Sequence, residues 1–475
     1  MNLNFLLLGL AGLFAAQAAA ASDSLVIQNV SIVSPELAVA VPGQAVRIID
    51  GRIVEIGASP LIVSEGEAVL EGKGRYLAPG LTDSHHHVSF VPGMGAAGLP
   101  PASEYPELVA VYLAQQPRSL LYHGVTQVLD PAPLTGWEAF TDQPQHPDLL
   151  RCGEIPGPHD GYPLNQREGE RAHAVYPYAV DTAAEAASVI ARIQADGAVC
   201  VKIYLEDGFG AASEWPLMSD GTLDAIVAEA EARSMPVLVH ANAIDMYQIA
   251  LDHGVGVMAH GLWNWQWPDG EPPVVETLDR VIESGAGYMP TLRVMAGLAD
   301  HVRPGALDNP DLAPVTPAPL MAFYRAGGAD WFADELASDF PAEMPRDEIA
   351  DIFGFGVQRG HQALGYVHGQ DHPIMLASDC PGSPTAVNQP GLCTLYEMEA
   401  MAEAGMSPAD ILRSGTLTIA EQFGVDSTYG RVATGFAANL VLLNDNPLED
   451  VAAWQEIEFV ILHGAVIERS SLRAR

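Results

Sequence analysis

The sequence predicts an α/β fold in which a (β/α)8 TIM barrel is inserted into a small discontinuous β-sandwich domain. Three observations carry this expectation. From Leu77 onward, short apolar runs alternate with helical stretches, the pattern of parallel βα units. The flanking regions, 24–76 and 428–475, read instead as short strands joined by hairpins. Side chains able to bind a metal ion recur where the apolar runs end.

The length of 475 residues exceeds one minimal core, so a large and a small domain are expected. A formal net charge of −38 disfavours nucleic acid and anionic membrane surfaces as partners, because both require positive patches. Residues 1–22 carry no charged side chain, and the apolar run Phe5 to Phe14 is followed by an Ala-rich stretch. This predicts a cleaved signal peptide, too short to span a membrane, and hence a periplasmic or secreted protein with no membrane association after cleavage.

Residues 23–78 form the expected first part of the small domain. Val46–Ile49 and Arg52–Ile56 flank Asp50-Gly51, a strong hairpin signal. The barrel is expected over 79–427. Its strands are Leu81 to His87, Val125 to Asp130, Leu149 to Gly153, Val199 to Tyr204, Pro236 to His240, Val255 to His260, Gly287 to Thr291 and Pro373 to Asp379. Helical stretches between them include Thr182 to Ala195, Leu223 to Ala232 and Ile244 to His253. A long acidic insertion at about 300–370 precedes the eighth run; it suits either a lid or a packing appendage. Residues 428–475, with Ala438 to Leu443 and a hairpin at His463-Gly464, are expected to rejoin the first sheet. Of the four cysteines, Cys380 and Cys393 are close enough in sequence to pair; the alternative is four buried thiols.

The chemistry concentrates at the strand ends. In Asp83-Ser84-His85-His86-His87, residues i and i+2 of a strand point the same way, so His85 and His87 can share one metal while His86 faces away. His240, His260 and Asp379 each close an apolar run. A lone histidine there is more often a satisfied core residue, but the whole set lies in barrel order. The chain has only two lysines, Lys73 and Lys202, and Lys202 sits within an apolar strand. Burial lowers a lysine's pKa, and the neutral amine can take up carbon dioxide to form a carbamate, an anionic ligand with two oxygens. The alternative is an ion pair with Glu206 or Asp207. A serine-based mechanism has no support, since no Gly-x-Ser-x-Gly elbow is present.

The stretch Pro79 to His87, with Lys202, His240, His260-Gly261 and Ser378-Asp379, resembles the signature set of the amidohydrolase superfamily, binuclear carbamylated-lysine subtype. Gly430 to Pro447 is similar to that family's return into the small domain, with Asn439 standing where aspartate is common. The nearest branch is the imidazolonepropionase-like one, which includes Xaa-Pro dipeptidases. The resemblance implies that His85, His87 and Asp379 hold the more buried metal, that His240 and His260 hold the more exposed one, and that carbamylated Lys202 bridges them. Zinc is the default ion. A hydroxide shared by the two ions would attack an amide or peptide bond, with Asp379 moving the proton. A dipeptide or N-acyl amino acid is the first expected substrate, then a cyclic or aryl amide, then a lactone or phosphotriester. Tyr204 and His159 are candidates to polarise the substrate carbonyl, and Arg293 to bind a carboxylate. Trp263 and Trp265, with Trp267, either line an apolar pocket or pack their loop. A small-molecule substrate and further copies of the same chain are the expected partners.

Overall fold

The computed structural model describes residues 24–158, 160–166, 176–180, 182–208, 215–265 and 271–475. The leader, His159 and Trp267 lie outside the described residues.

Two sheets organise the chain. The first contains β1 (Ser24–Ile32), β2 (Val41–Ile49), β3 (Arg52–Ala58), β4 (Ala68–Glu71) and β5 (Tyr76–Pro79). Asp50 and Gly51 both take positive φ between β2 and β3, as the hairpin signal requires. After the long central region come β15 (Leu440–Leu443), β16 (Ile457–Leu462) and β17 (Ala465–Glu468). All eight share one sheet in the order β17-β16-β15-β5-β1-β2-β3, with β4 on β1. The two ends of the chain therefore meet where β5 runs antiparallel to β15. Residues from both ends, including Ile27, Val46, Leu77, Leu440 and Ile461, form one apolar cluster beneath it.

The second sheet is parallel and has seven strands. They are β6 (Leu81–Asp83), β9 (Val125–Asp130), β10 (Asp148–Glu154), β11 (Cys200–Tyr204), β12 (Val237–His240), β13 (Val257–Met258) and β14 (Gly287–Tyr288). A small hairpin, β7 (Phe90–Val91) with β8 (Gly95–Ala96), follows β6. β9, β11 and β12 are buried on both faces, which is why their sequences are continuous apolar runs. Helices cover the sheet. Gly153 lets Ala183–Ala195 approach β10, since a Cβ there would meet the Ile193 side chain at 2.3 Å.

The expected eighth strand, Pro373 to Asp379, is not a regular strand. Ile374 bridges Tyr288 and Cys380 bridges His86, both in parallel sense. Between them the Asp83 side chain takes the Ser378 amide at 3.1 Å, and Asp379 turns left-handed with φ 51°. A side-chain contact and a turn thus replace part of the expected ladder.

The 300–370 insertion contains helices Ala318–Arg325, Asp330–Ser338 and Arg346–Gly369. Tyr324 donates to the Pro92 carbonyl, and Trp331 Nε1 donates to that of Gly93 at 3.0 Å. The long third helix packs on Leu292–Val302, with Gly356 against Met295 and Gly360 against Leu292.

The disulfide expectation is corrected. Cys152 and Cys200 are bonded to each other across register-matched positions of β10 and β11, whereas Cys380 and Cys393 are free thiols 2.6 Å apart. The bonded pair is 48 residues apart in sequence and meets only because β10 neighbours β11.

Asp148 joins the two sheets. It accepts hydrogen bonds from Asn439 Nδ2 at 2.7 Å, His463 Nε2 at 2.9 Å and the Tyr429 hydroxyl at 3.0 Å. Asn439 also accepts the His463 amide at 3.0 Å, so an aspartate at 439 would set a second carboxylate against Asp148. Hydrogen bonding to Asp148 raises the His463 pKa against the effect of burial. Burial pushes Asp148 up, but His463, Asn439 and Tyr429 together hold it below its ordinary value.

Replacing His463 with glutamine should therefore cost stability in a pH-dependent way. The wild type's advantage should be fully present just below the ordinary histidine pKa of 6.5. It should fade as pH rises through the raised folded-state value, and at the acid end as Asp148 protonates. Denaturant unfolding of both proteins from pH 4 to 9 checks this; a constant difference would remove the ion pair from the account.

Candidate metal centre

Four histidine rings form a contiguous row. Centroids are 5.2 Å apart from His87 to His85, 4.9 Å from His85 to His260, and 4.5 Å from His260 to His240. They arrive from the ends of β6, β12 and β13, and Asp379 faces them from the turn after Ser378. His86 points away, 3.4 Å from Gln116. His85, His260 and Asp379 are buried and present ligand atoms that all lie within 4.8 Å of one another.

His85 shows how these residues suit a cation. Its Nδ1 lies 3.0 Å from the Ala259 carbonyl and must donate to it. In the neutral ring, Nε2 then presents a lone pair to Asp379 Oδ1 at 3.3 Å. Burial, with Lys202 and His87 nearby, holds the His85 pKa well below its ordinary value. Two acceptors at this separation fit a metal ion between them. His260 Nδ1 lies 3.1 Å from Thr291 Oγ1 and 3.7 Å from Asp379 Oδ2. Burial and the neighbouring His240 and Lys202 lower its pKa too, favouring the neutral form that metals require.

His87 is held differently. Its Nε2 is 2.9 Å from Asp379 Oδ1 and its Nδ1 is 3.6 Å from Asp130. Burial alone would lower its pKa; the two carboxylates outweigh that and raise it to about 9. His240 Nε2 lies 3.1 Å from Glu206. Lys202 is 1% exposed, and no ion pair is recorded for it among the described residues, so the expected alternative partner Glu206 is engaged elsewhere. Burial lowers its pKa to about 8, against the pull of Asp379, Glu154 and Asp130.

Among the expected substrate contacts, Tyr204 is buried in the site and donates its hydroxyl to Glu154. Trp263 sits with its ring 5.8 Å from His260. Trp265 belongs to the main core, with Arg359 5.2 Å from its ring. Arg293 is buried, bonded to Asp300 at 2.8 Å and Asn388 at 2.9 Å, with its guanidinium 5.0 Å from the Tyr396 ring. It braces the segment after Asp379.

Several participants escaped the sequence reading. Asp130 and Glu154 also end apolar runs, so the strand-end rule applied without exception would have found them. Glu206 lies two residues past Tyr204. Thr291 has φ 43°, rare for a β-branched residue, and turns its hydroxyl toward His260. Tyr162, 4.9 Å from the His240 ring and stacked on Trp215 at 6.2 Å, had no local signal.

Residues 360–467 match the sequence profile of the Amidohydrolase family. An adenine deaminase of Geobacillus kaustophilus (strain HTA426) is 35% identical over 115 residues, which is 24% of this chain and 16% of that protein. Among solved structures, a prolidase complexed with N-methylphosphonate-L-proline superposes with a TM-score of 0.69 at 20% identity, covering 94% of this chain and 100% of the other. A Xaa-Pro dipeptidase with bound methionine gives 0.67 at 17% identity, covering 94% and 100%. At these identities the structural likeness shows the fold. Together the findings show a resemblance to amidohydrolases in the C-terminal part of the sequence and in the fold.

The Asp83 carboxylate is fully buried and accepts from Ser378 N and Oγ, Thr394 Oγ1 and the His85 amide. An Asp83→Ala change leaves these donors unpaired and should cost at least about 3 kcal/mol of stability. Chemical denaturation checks it; a loss under about 1 kcal/mol would show that other groups hold the turn.

Proposed function

We propose that the chain is an exported, metal-dependent amidohydrolase that hydrolyses a C–N bond, first of all in a dipeptide or an N-acyl amino acid. The observation that carries this reading is the His85–Asp379–His260 cluster beside buried Lys202. The donor set, imidazoles with a carboxylate, suits zinc and related divalent ions. Two such ions would polarise a substrate carbonyl and lower the pKa of a water molecule.

The remaining work falls to the side chains. His85, His87 and Asp379 would hold one ion, His240 and His260 the other. Lys202, with its pKa near 8, is neutral in a usable fraction at physiological pH. Its amine can add to carbon dioxide, releasing one proton and leaving a carbamate that would serve as a further anionic ligand. Asp379 would accept the proton of the attacking water and return it to the leaving amine. Tyr204 spends its single O–H on Glu154, so donation to a substrate carbonyl would require exchange of that bond. The names of the prolidase and dipeptidase neighbours support dipeptides as first substrates.

We read the seven-stranded sheet with the 374–380 segment as a (β/α)8 barrel spanning 79–427. The mixed sheet is then the small sandwich domain, split between 23–78 and 428–475. The Cys152–Cys200 disulfide and the apolar leader support export to an oxidising compartment.

The test is a turnover screen of mature protein loaded with zinc and bicarbonate, against dipeptides, N-acyl amino acids, cyclic amides and lactones. Dipeptide or N-acyl turnover should be lost on chelation, restored by zinc, and reduced at least about 100-fold by Lys202→Arg, because arginine cannot become neutral. Turnover of cyclic substrates alone would move the substrate assignment to the cyclic amides. A protein that cannot be loaded with metal would favour a non-catalytic binding barrel.

A further inference from the structure

Each ring in the histidine row has an orienting contact, and that of His240 is the Glu206 carboxylate. Glu206 follows β11 and is 1% exposed. Its Oε1 accepts the Gly208 amide at 3.0 Å, which closes the carboxylate onto its own loop. Its Oε2 lies 3.1 Å from His240 Nε2 and 3.2 Å from Asn242 Nδ2.

A carboxylate with a backbone amide and a side-chain amide already donating to it acts as an acceptor, so His240 Nε2 carries a proton. In the neutral ring the lone pair is then on Nδ1. The same carboxylate steadies the neighbouring strand end, because the Asn242 carbonyl accepts the amides of Trp263 at 3.3 Å and Asn264 at 2.9 Å. These residues follow His260 in the chain.

We propose that Glu206 is a positioning residue that fixes the tautomer and orientation of His240 through its Nε2. The inference rests on the reading of His240 as a metal ligand. Outer carboxylates that hold a ligating imidazole by its other nitrogen commonly change metal affinity by about 10–100-fold when removed. Glu206 would also add negative charge beside the cation without contacting it.

The experiment measures zinc binding alone, by competition with a chromophoric chelator, for full mature wild type, Glu206→Ala, Glu206→Gln, His240→Ala and the Glu206→Ala/His240→Ala double variant. Melting curves of the metal-free proteins establish folding. Wild type should bind two ions. Glu206→Ala should bind the weaker one about 10–100-fold less tightly and the other unchanged. Glu206→Gln, which keeps an acceptor but not the charge, should fall between them. In the His240→Ala background the Glu206→Ala change should have no further effect on affinity, which a merely structural role would not produce. If Glu206→Ala does not fold, Glu206→Gln carries the comparison. Two ions in wild type with unchanged affinity in the folded Glu206 variants would overturn the inference alone. A wild type that binds no zinc would overturn the reading of the site, and this inference with it.

Discussion

The Asp83 carboxylate holds the first strand of the parallel sheet to the last segment that approaches it. Oδ1 accepts the amides of Ser378 and His85; Oδ2 accepts the hydroxyls of Ser378 and Thr394. Complete burial pushes its pKa up, and these four hydrogen bonds work against that shift. The contact also reaches the helix Leu392–Glu403 through Thr394. Backbone bonding continues the junction, with His87 N donating to the Cys380 carbonyl at 2.8 Å. Two histidines and the aspartate opposite them thus take their relative positions from a buried group that is not itself aimed at the metal cluster.

Two strained residues stand at the rim of the same site, Asp379 with φ 51° and Thr291 with φ 43°. Such conformations cost on the order of 1–3 kcal/mol and persist only where the surroundings over-determine them. At Asp379 the turn is closed by the Gly382 amide, which donates to the Asp379 carbonyl at 2.7 Å, and a Cβ at 382 would lie 2.2 Å from Asp379 Oδ1. For Thr291 the determinant is the helix that follows. Thr291 gives that helix no side-chain cap, and Glu397 takes over, accepting the Leu292 amide at 3.0 Å and the Arg293 amide at 2.6 Å. Burial raises the Glu397 pKa to about 8, opposed by those two amides. The strain that turns the Thr291 hydroxyl to His260 is offset by a carboxylate from another helix.

Most strands with continuous apolar sequence were readable in place, and β9 occupies the same residues as the expected run, while the apolar run Pro373 to Asp379 forms only isolated bridges. The shortfall lies at strand ends. Leu81 to His87, Val255 to His260 and Gly287 to Thr291 narrow to three or two ladder residues, because the chain must leave the ladder to aim side chains into one centre. Metal-competent residues were legible because each follows an apolar run. The supporting groups Glu206, Thr291 and Thr394 were not, since what identifies them is a neighbour distant in sequence. Cys152 and Cys200 were misjudged for the same reason. Sequence distance brought Cys380 and Cys393 to notice, while strand adjacency is what pairs Cys152 with Cys200.

Charge balance explains why these residues occur together. Asp130, Glu154, Glu206 and Asp379 are all buried around the histidine row, with Asp130 at 0% and Glu206 at 1% exposed. Buried carboxylates are costly unless paired or coordinated. Among the described residues, the positive charges near them include the imidazolium of His87, and Lys202, whose ammonium is itself weakened by burial. In a chain of net charge −38, little help comes from the surroundings. Protons on these groups can balance the site in part, but only by neutralising the carboxylates and occupying the imidazole lone pairs. Divalent cations would balance it while leaving the carboxylates ionised and the histidines neutral. On this account the buried acids, the lone interior lysine and the metal-competent row are parts of one electrostatic arrangement.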